Sequence, residues 1–168
     1  MTTASRIVAM LKLKPLPAEG GYFVETYRSR DHIRREALPE CYAGGRSFST
    51  AIYYLVTADT FSAMHRLCTD EVYHFYVGSP VELLQIHPDA SFKVHRLGTD
   101  VLNGMEPQIV IPKGVWQGSR LVPGGEFALL GTTVAPGFDP ADYEHGRREE
   151  LTAFCPGARD LIRALTHE

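Results

Sequence analysis

Cysteine is scarce in this chain of 168 residues, and the three present, Cys41, Cys68 and Cys155, are odd in number, far apart and without a CxxC pair. That argues against a disulfide framework and against a thiolate zinc site, and fits a reducing cytoplasm. An excess of one charge is also lacking: Lys plus Arg number 17 against 20 Asp plus Glu, a formal net charge of −3. Without a basic stripe to neutralise phosphates, nucleic acid is not an expected partner. No apolar run approaches the roughly 20 residues a membrane helix needs. Met1 to Leu16 lacks the apolar core and cleavage site of a signal peptide, so neither membrane insertion nor export has support. Low-complexity tracts, solenoid repeats and linkers are missing too. Residues 1–168 therefore read as a single domain, long enough to bury a core without a staple.

What is present is strand pattern. Apolar Ile7, Val8, Met10 and Leu11 recur at helical spacing, predicting a helix over Thr3 to Leu13 that Pro15 and Pro17 end. Tyr22 to Arg28 is rich in aromatic and β-branched residues, and a polar loop, a candidate rim of a site, runs from there through Gly44-Gly45. Strands are expected over Ser49 to Val56, Phe61 to Leu67, Val72 to Val77, Val81 to His87, Phe92 to Leu97, Gln108 to Ile111, Val115 to Val122 and Phe127 to Val134. Turn residues such as Gly78-Ser79-Pro80, Pro112-Lys113-Gly114 and Pro123-Gly124-Gly125 separate them. Short links between so many strands imply an all-β antiparallel sandwich or barrel. Arg147 to Phe154 and Ala158 to Thr166 read as helices that cap the barrel or serve dimerisation.

Alternation along strands assigns directions, since residues two apart share a face. His65 falls with Phe61, Ala63 and Leu67. Glu71 falls with Tyr73, Phe75 and Val77, and Gln117 and Ser119 fall with Val115 and Leu121. Burying an imidazole, a carboxylate and an amide costs several kcal/mol unless they meet one another or bind something.

His65, Glu71 and Gly78, followed by Pro112-Lys113-Gly114-Val115-Trp116-Gln117, resemble the two cupin motifs. Glu19-Gly20-Gly21-Tyr22-Phe23, Thr69 to Tyr76 and Thr133 to Asp139 extend the resemblance to the cupin_5 family, formerly DUF985, over roughly Leu11 to Asp142. The resemblance implies a double-stranded β-helix, or jelly-roll barrel, with short terminal helices and a small-molecule ligand inside, commonly in homodimers. Metal-binding cupins supply two histidines and a glutamate from the first motif and a third histidine from the second. Here Leu67 stands at the second histidine position and Gln117 at the third, and an amide is a poor ligand for first-row transition metals. His74 lies on the face opposite Glu71.

Three functional classes follow from the resemblance. The first is a metal-independent epimerase or isomerase of a small polar, carbohydrate-like metabolite, with no cofactor required. There His65 and Glu71 are the catalytic pair, a tyrosine (Tyr53, Tyr54 or Tyr73) is the proton donor, and Gln117, Ser119, Tyr73, Tyr53 and Arg28 hold the ligand. The second is a non-catalytic binding or sensor module with Arg28 and Arg46 as anion clamps at the rim. The third is a metal-dependent oxygenase or isomerase with His65, Glu71 and Gln117 as ligands of a divalent metal.

Overall fold

A computed structural model describes residues 2–167. Thr2 caps helix α1, Thr3–Leu11, by accepting from the Ser5 amide, and Lys12 closes it in a left-handed conformation. The strands are β1 (Lys14–Pro15), β2 (Tyr22–Arg28), β3 (His32–Ile33), β4 (Arg46–Ser47), β5 (Thr50–Thr57), β6 (Ser62–Leu67) and β7 (Asp70–Gly78). They continue as β8 (Val81–Ile86), β9 (Phe92–Leu97), β10 (Gln108–Ile111), β11 (Trp116–Leu121), β12 (Phe127–Ala135) and β13 (Tyr143–His145), before helices α2 (Arg148–Phe154) and α3 (Arg159–Ala164). The eight strands read from the pattern are all found, at boundaries within a few residues. The pieces too short to show a period, β1, β3, β4 and β13, were not anticipated.

Two antiparallel sheets face each other as a jelly roll: a six-stranded sheet in the order β1-β2-β5-β12-β7-β10 and a five-stranded sheet in the order β13-β6-β11-β8-β9. Between them Tyr54, Val56, Tyr73, Leu83, Ile109 and Leu130 form the main core. A second core lies behind the five-stranded sheet, where Met64, Leu84 and Ile86 meet Leu151, Ile162 and Leu165 of the C-terminal segment. β6 serves both: it sends His65 and Leu67 inward and Met64 back toward the helices, and a bulge against β11 brings Ser62 to the inner side beside Glu19, so the strand is buried on both faces. The C-terminal helices thus pack on the back of the barrel. Trp116 joins that outer layer, beneath the Arg66 guanidinium 4.5 Å from its ring centre. Among the described residues no helix is long and apolar enough to cross a membrane.

Candidate functional site

One end of the barrel interior stays open as a cavity of about 290 Å³, which His65, Glu71, Tyr73 and Arg28 line together with Glu19, Tyr54 and Tyr143. The volume sits at the small end of the usual ligand-pocket range. These polar wall groups come from β2, β5, β6, β7, β13 and the turn before β2, and the sequence explains most of the placements.

On β6, His65 is 2% exposed and its Nδ1 lies 2.8 Å from the Ala63 carbonyl oxygen. A carbonyl only accepts, so Nδ1 carries a proton, and in the neutral ring the lone pair is on Nε2. No described residue hydrogen-bonds to Nε2. The backbone, not a carboxylate, therefore orients this ring. The phenol of Tyr143, from β13, stacks on it with centroids 5.1 Å apart and planes 19° apart. Next to it on β13, His145 is held below the usual histidine range by burial first, and then by His167 and His65.

Glu71, near the start of β7, is buried and accepts the Nε2–H of Gln117 at 2.7 Å. Burial pushes its carboxyl up, with Glu19 adding to the effect, while His65, Gln117 and the Thr132 hydroxyl pull the other way. The tyrosines stay protonated: burial raises Tyr73 and Tyr54 well above the ordinary phenol, and raises Tyr143 as well.

Glu19 is a wall residue that strand periodicity cannot reveal, since it sits on a turn. Gly20 and Gly21 have φ of +97° and +71°, a region that favours glycine. A Cβ on Gly20 would run into the Phe61 carbonyl, and one on Gly21 would lie 2.8 Å from both the Leu55 carbonyl and the Tyr54 hydroxyl. The Glu-Gly-Gly spelling was the available signal. This close approach seats the Glu19 carboxylate against the Ser62 hydroxyl at 2.8 Å, and Tyr54 fastens the turn by donating to the Gly20 carbonyl at 2.9 Å.

Other expected site residues lie elsewhere or are already engaged. Gln117 reaches the cavity only through Glu71, and its Oε1 is buried without a partner, as is the Ser119 hydroxyl behind it. Tyr53 does not belong to the site: it points out of the barrel from β5, edge-on to Tyr76 at 5.9 Å, while its neighbour Tyr54 points in. Tyr76 lies across Gly131, where a Cβ would strike its ring. Arg28 reaches the rim because β2 slips register between Glu25 and Tyr27. Its guanidinium is occupied there, donating to both Glu25 oxygens at 2.9 and 2.7 Å and to the Phe138 carbonyl at 3.2 and 3.3 Å. Arg46 is no rim clamp; it is 4% exposed and paired with the carboxylate of Asp142.

The donor set does not match the four-ligand metal site of metal-binding cupins. Leu67 lines the cavity where a histidine would be needed, and Gln117 turns its Nε2 toward Glu71. His74 is on the outer face, bonded to Thr133 at 3.2 Å and Gln108 at 3.1 Å. Among the described residues no three His, Cys, Asp or Glu side chains converge as a metal would require. The wall is instead suited to proton transfer and to hydrogen bonding with a small organic ligand.

A family model described as "Cupin superfamily (DUF985)" matches residues 5–146. The chain is 33% identical over 140 residues to the uncharacterized protein YML079W of Saccharomyces cerevisiae, covering 79% of this chain and 70% of that one. Protein SO0799 from Shewanella oneidensis superposes with a TM-score of 0.87 at 29% identity over 99% of both chains. A hypothetical protein from Leishmania major gives 0.87 and 29% as well, over 99% of this chain and 100% of its own.

Proposed function

The chain belongs to the Cupin_5 (DUF985) family of the cupin superfamily, and on that footing we propose that it binds a small polar metabolite in the barrel and isomerises or epimerises it by metal-independent proton transfer. The observation that carries this reading is the His65 ring. Its Nδ1–H is committed to the Ala63 carbonyl at 2.8 Å, leaving Nε2 as a lone-pair base in the wall of a cavity shared with a buried carboxyl. In the step envisaged, Nε2 takes a proton from carbon next to a carbonyl, and the C–H electron pair passes to the carbonyl oxygen as an enolate. Glu71, whose proton burial favours, donates a hydrogen bond to that oxygen. Return of the proton to the same carbon or its neighbour completes an epimerisation or an isomerisation. Two ionisable groups whose surroundings push them apart are a common basis for such acid and base roles. Tyr143 fixes the plane of the base.

The test is deuterium exchange. Amino sugars, ketoses and 2-oxo acids are incubated with the protein in D₂O, and protons adjacent to the carbonyl are followed by NMR. Wash-in that His65→Ala abolishes, with the variant still folded, supports the reading. Exchange undiminished in His65→Ala overturns it.

A binding module without turnover is the second reading, favoured by the hydrogen bond that keeps Gln117 on Glu71. A ligand that binds and returns with its protons unexchanged would establish it. A homodimer is proposed in either case, through the outer face of the six-stranded sheet. Tyr76 and Val110 stand there 48% and 52% exposed, and light scattering that gives a monomer mass would refute it.

A further inference from the structure

We propose that this cavity selects a small organic cation, an amine on an apolar body, over anions and over neutral molecules of the same shape. The inference names the ligand class of the site above, and it rests on that reading in one respect: a protonated His65 would cancel the negative charge of Glu19.

Three carboxylates, Glu19, Glu25 and Glu71, line the cavity against a single guanidinium, Arg28. That guanidinium is held by both oxygens of Glu25 and by the Phe138 carbonyl, so the rim pair is neutral as a unit. Glu71 is the group whose proton burial favours, so the net negative charge rests on Glu19, which has the Ser62 hydroxyl at 2.8 Å as its donor and no lining cation other than the Glu25-bound Arg28 while His65 is neutral. The carboxylate of Glu19 acts on every polar group around it, opposing ionisation of Glu71, Tyr73, Tyr54 and Tyr143 alike. An anion entering here would meet the same repulsion in a desolvated space, whereas a cation would relieve it.

The remaining wall supports the same class. Tyr54, Tyr73, Tyr143, Phe23 and Phe138 bring aromatic rings to the cavity, and ring faces attract an ammonium while their edges accommodate hydrocarbon. The unpartnered Nε2 of the buried His65 is an acceptor, matched to an N–H donor on the ligand. A metal ion is poorly served, because no three His, Cys, Asp or Glu side chains among the described residues converge. An alkylammonium needs no fixed coordination shell and can sit against the single carboxylate of Glu19.

Three probes of nearly one shape test the idea: benzylamine, benzyl alcohol and benzoate, each titrated calorimetrically into the full chain near pH 7.5. Benzylamine should bind about tenfold or more tightly than either of the others, the preference that one unpaired carboxylate at contact distance confers. Glu19→Gln, which keeps a hydrogen-bond acceptor for Ser62, should reduce that preference severalfold and leave benzyl alcohol unchanged. Benzoate or benzyl alcohol binding as tightly as benzylamine would overturn the proposal, as would no benzylamine binding at millimolar concentration or a preference indifferent to Glu19→Gln. His65→Ala removes an acceptor used by benzylamine and benzyl alcohol alike and should weaken both while benzylamine stays the tighter of the two, so failure of the deuterium-exchange test and failure of the cation test are read separately.

Discussion

Replacing Gly20 by alanine tests whether the Glu-Gly-Gly turn builds the cavity wall. Gly20 and Gly124 have similar positive φ, +97° and +85°, yet a Cβ meets nothing within 4 Å at Gly124 and the Phe61 carbonyl at Gly20. Gly124→Ala therefore measures backbone strain alone, about 1–2 kcal/mol. Gly20→Ala adds a collision with backbone that cannot turn aside. It also threatens three hydrogen bonds: Tyr54 hydroxyl to Gly20 carbonyl at 2.9 Å, Gly20 amide to Leu16 carbonyl at 3.0 Å and Ala63 amide to Glu19 carbonyl at 2.7 Å. At about 0.5–1.5 kcal/mol each, losing two of the three brings the total to about 3–4 kcal/mol. For a chain of this size that is a fall in melting temperature of about 10 °C, against about 4 °C for Gly124→Ala. Calorimetric melting of both variants, with benzylamine titrated into each, reads stability and site together. Equal losses for the two variants, or a Gly20→Ala protein that binds as wild type does, would refute the argument.

Three other outcomes follow from buried ionisable groups. Burial raises Glu71 in the folded state, so its protonated form favours folding. That contribution is fully present below its unfolded pKa of about 4.3 and is lost as pH rises through the folded value. Glu71→Gln should accordingly be more stable than wild type at neutral pH and should lose that advantage in acid, by urea unfolding across pH; a variant less stable at pH 7 would contradict this. Arg46→Ala strands the carboxylate of Asp142, which is 1% exposed, and should cost about 3–5 kcal/mol in the same assay, with a loss under 1 kcal/mol counting against it. The Cys68 thiol is pushed up to about 12 by burial, followed by the nearby Asp142. It should resist iodoacetamide at pH 8, and rapid alkylation located by mass spectrometry would exclude that environment.

Period-two alternation made the fold and the buried part of the site legible in the sequence. His65, Glu71, Gln117 and Ser119 are buried as alternation assigned them, although the β6–β11 ladder slips by one residue between Ser62 and His65. The same rule could not choose between Tyr53 and Tyr54 without the strand's inner face being known, and the choice of Tyr53 failed there. Arg28 reached the rim through a register slip that no pattern announces. Glu19 and Tyr143 escaped notice for a shared reason. One rides a turn shaped by positive φ, and the other a strand of only three residues, Tyr143–His145, so neither belongs to a run long enough to carry a period. Arg46 read as a rim clamp because its partner Asp142 lies far along the chain, and only the fold brings the two together.

Whether His65 presents an unprotonated Nε2 to the cavity is read from long-range ¹H–¹⁵N correlation of the imidazole rings. His65→Gln identifies the signals by their disappearance. The expected spectrum at pH 7.5 shows the proton on Nδ1 and a pyridine-like Nε2 that shifts when benzylamine is added. A proton on Nε2, whether in the other tautomer or in a charged ring, would contradict it.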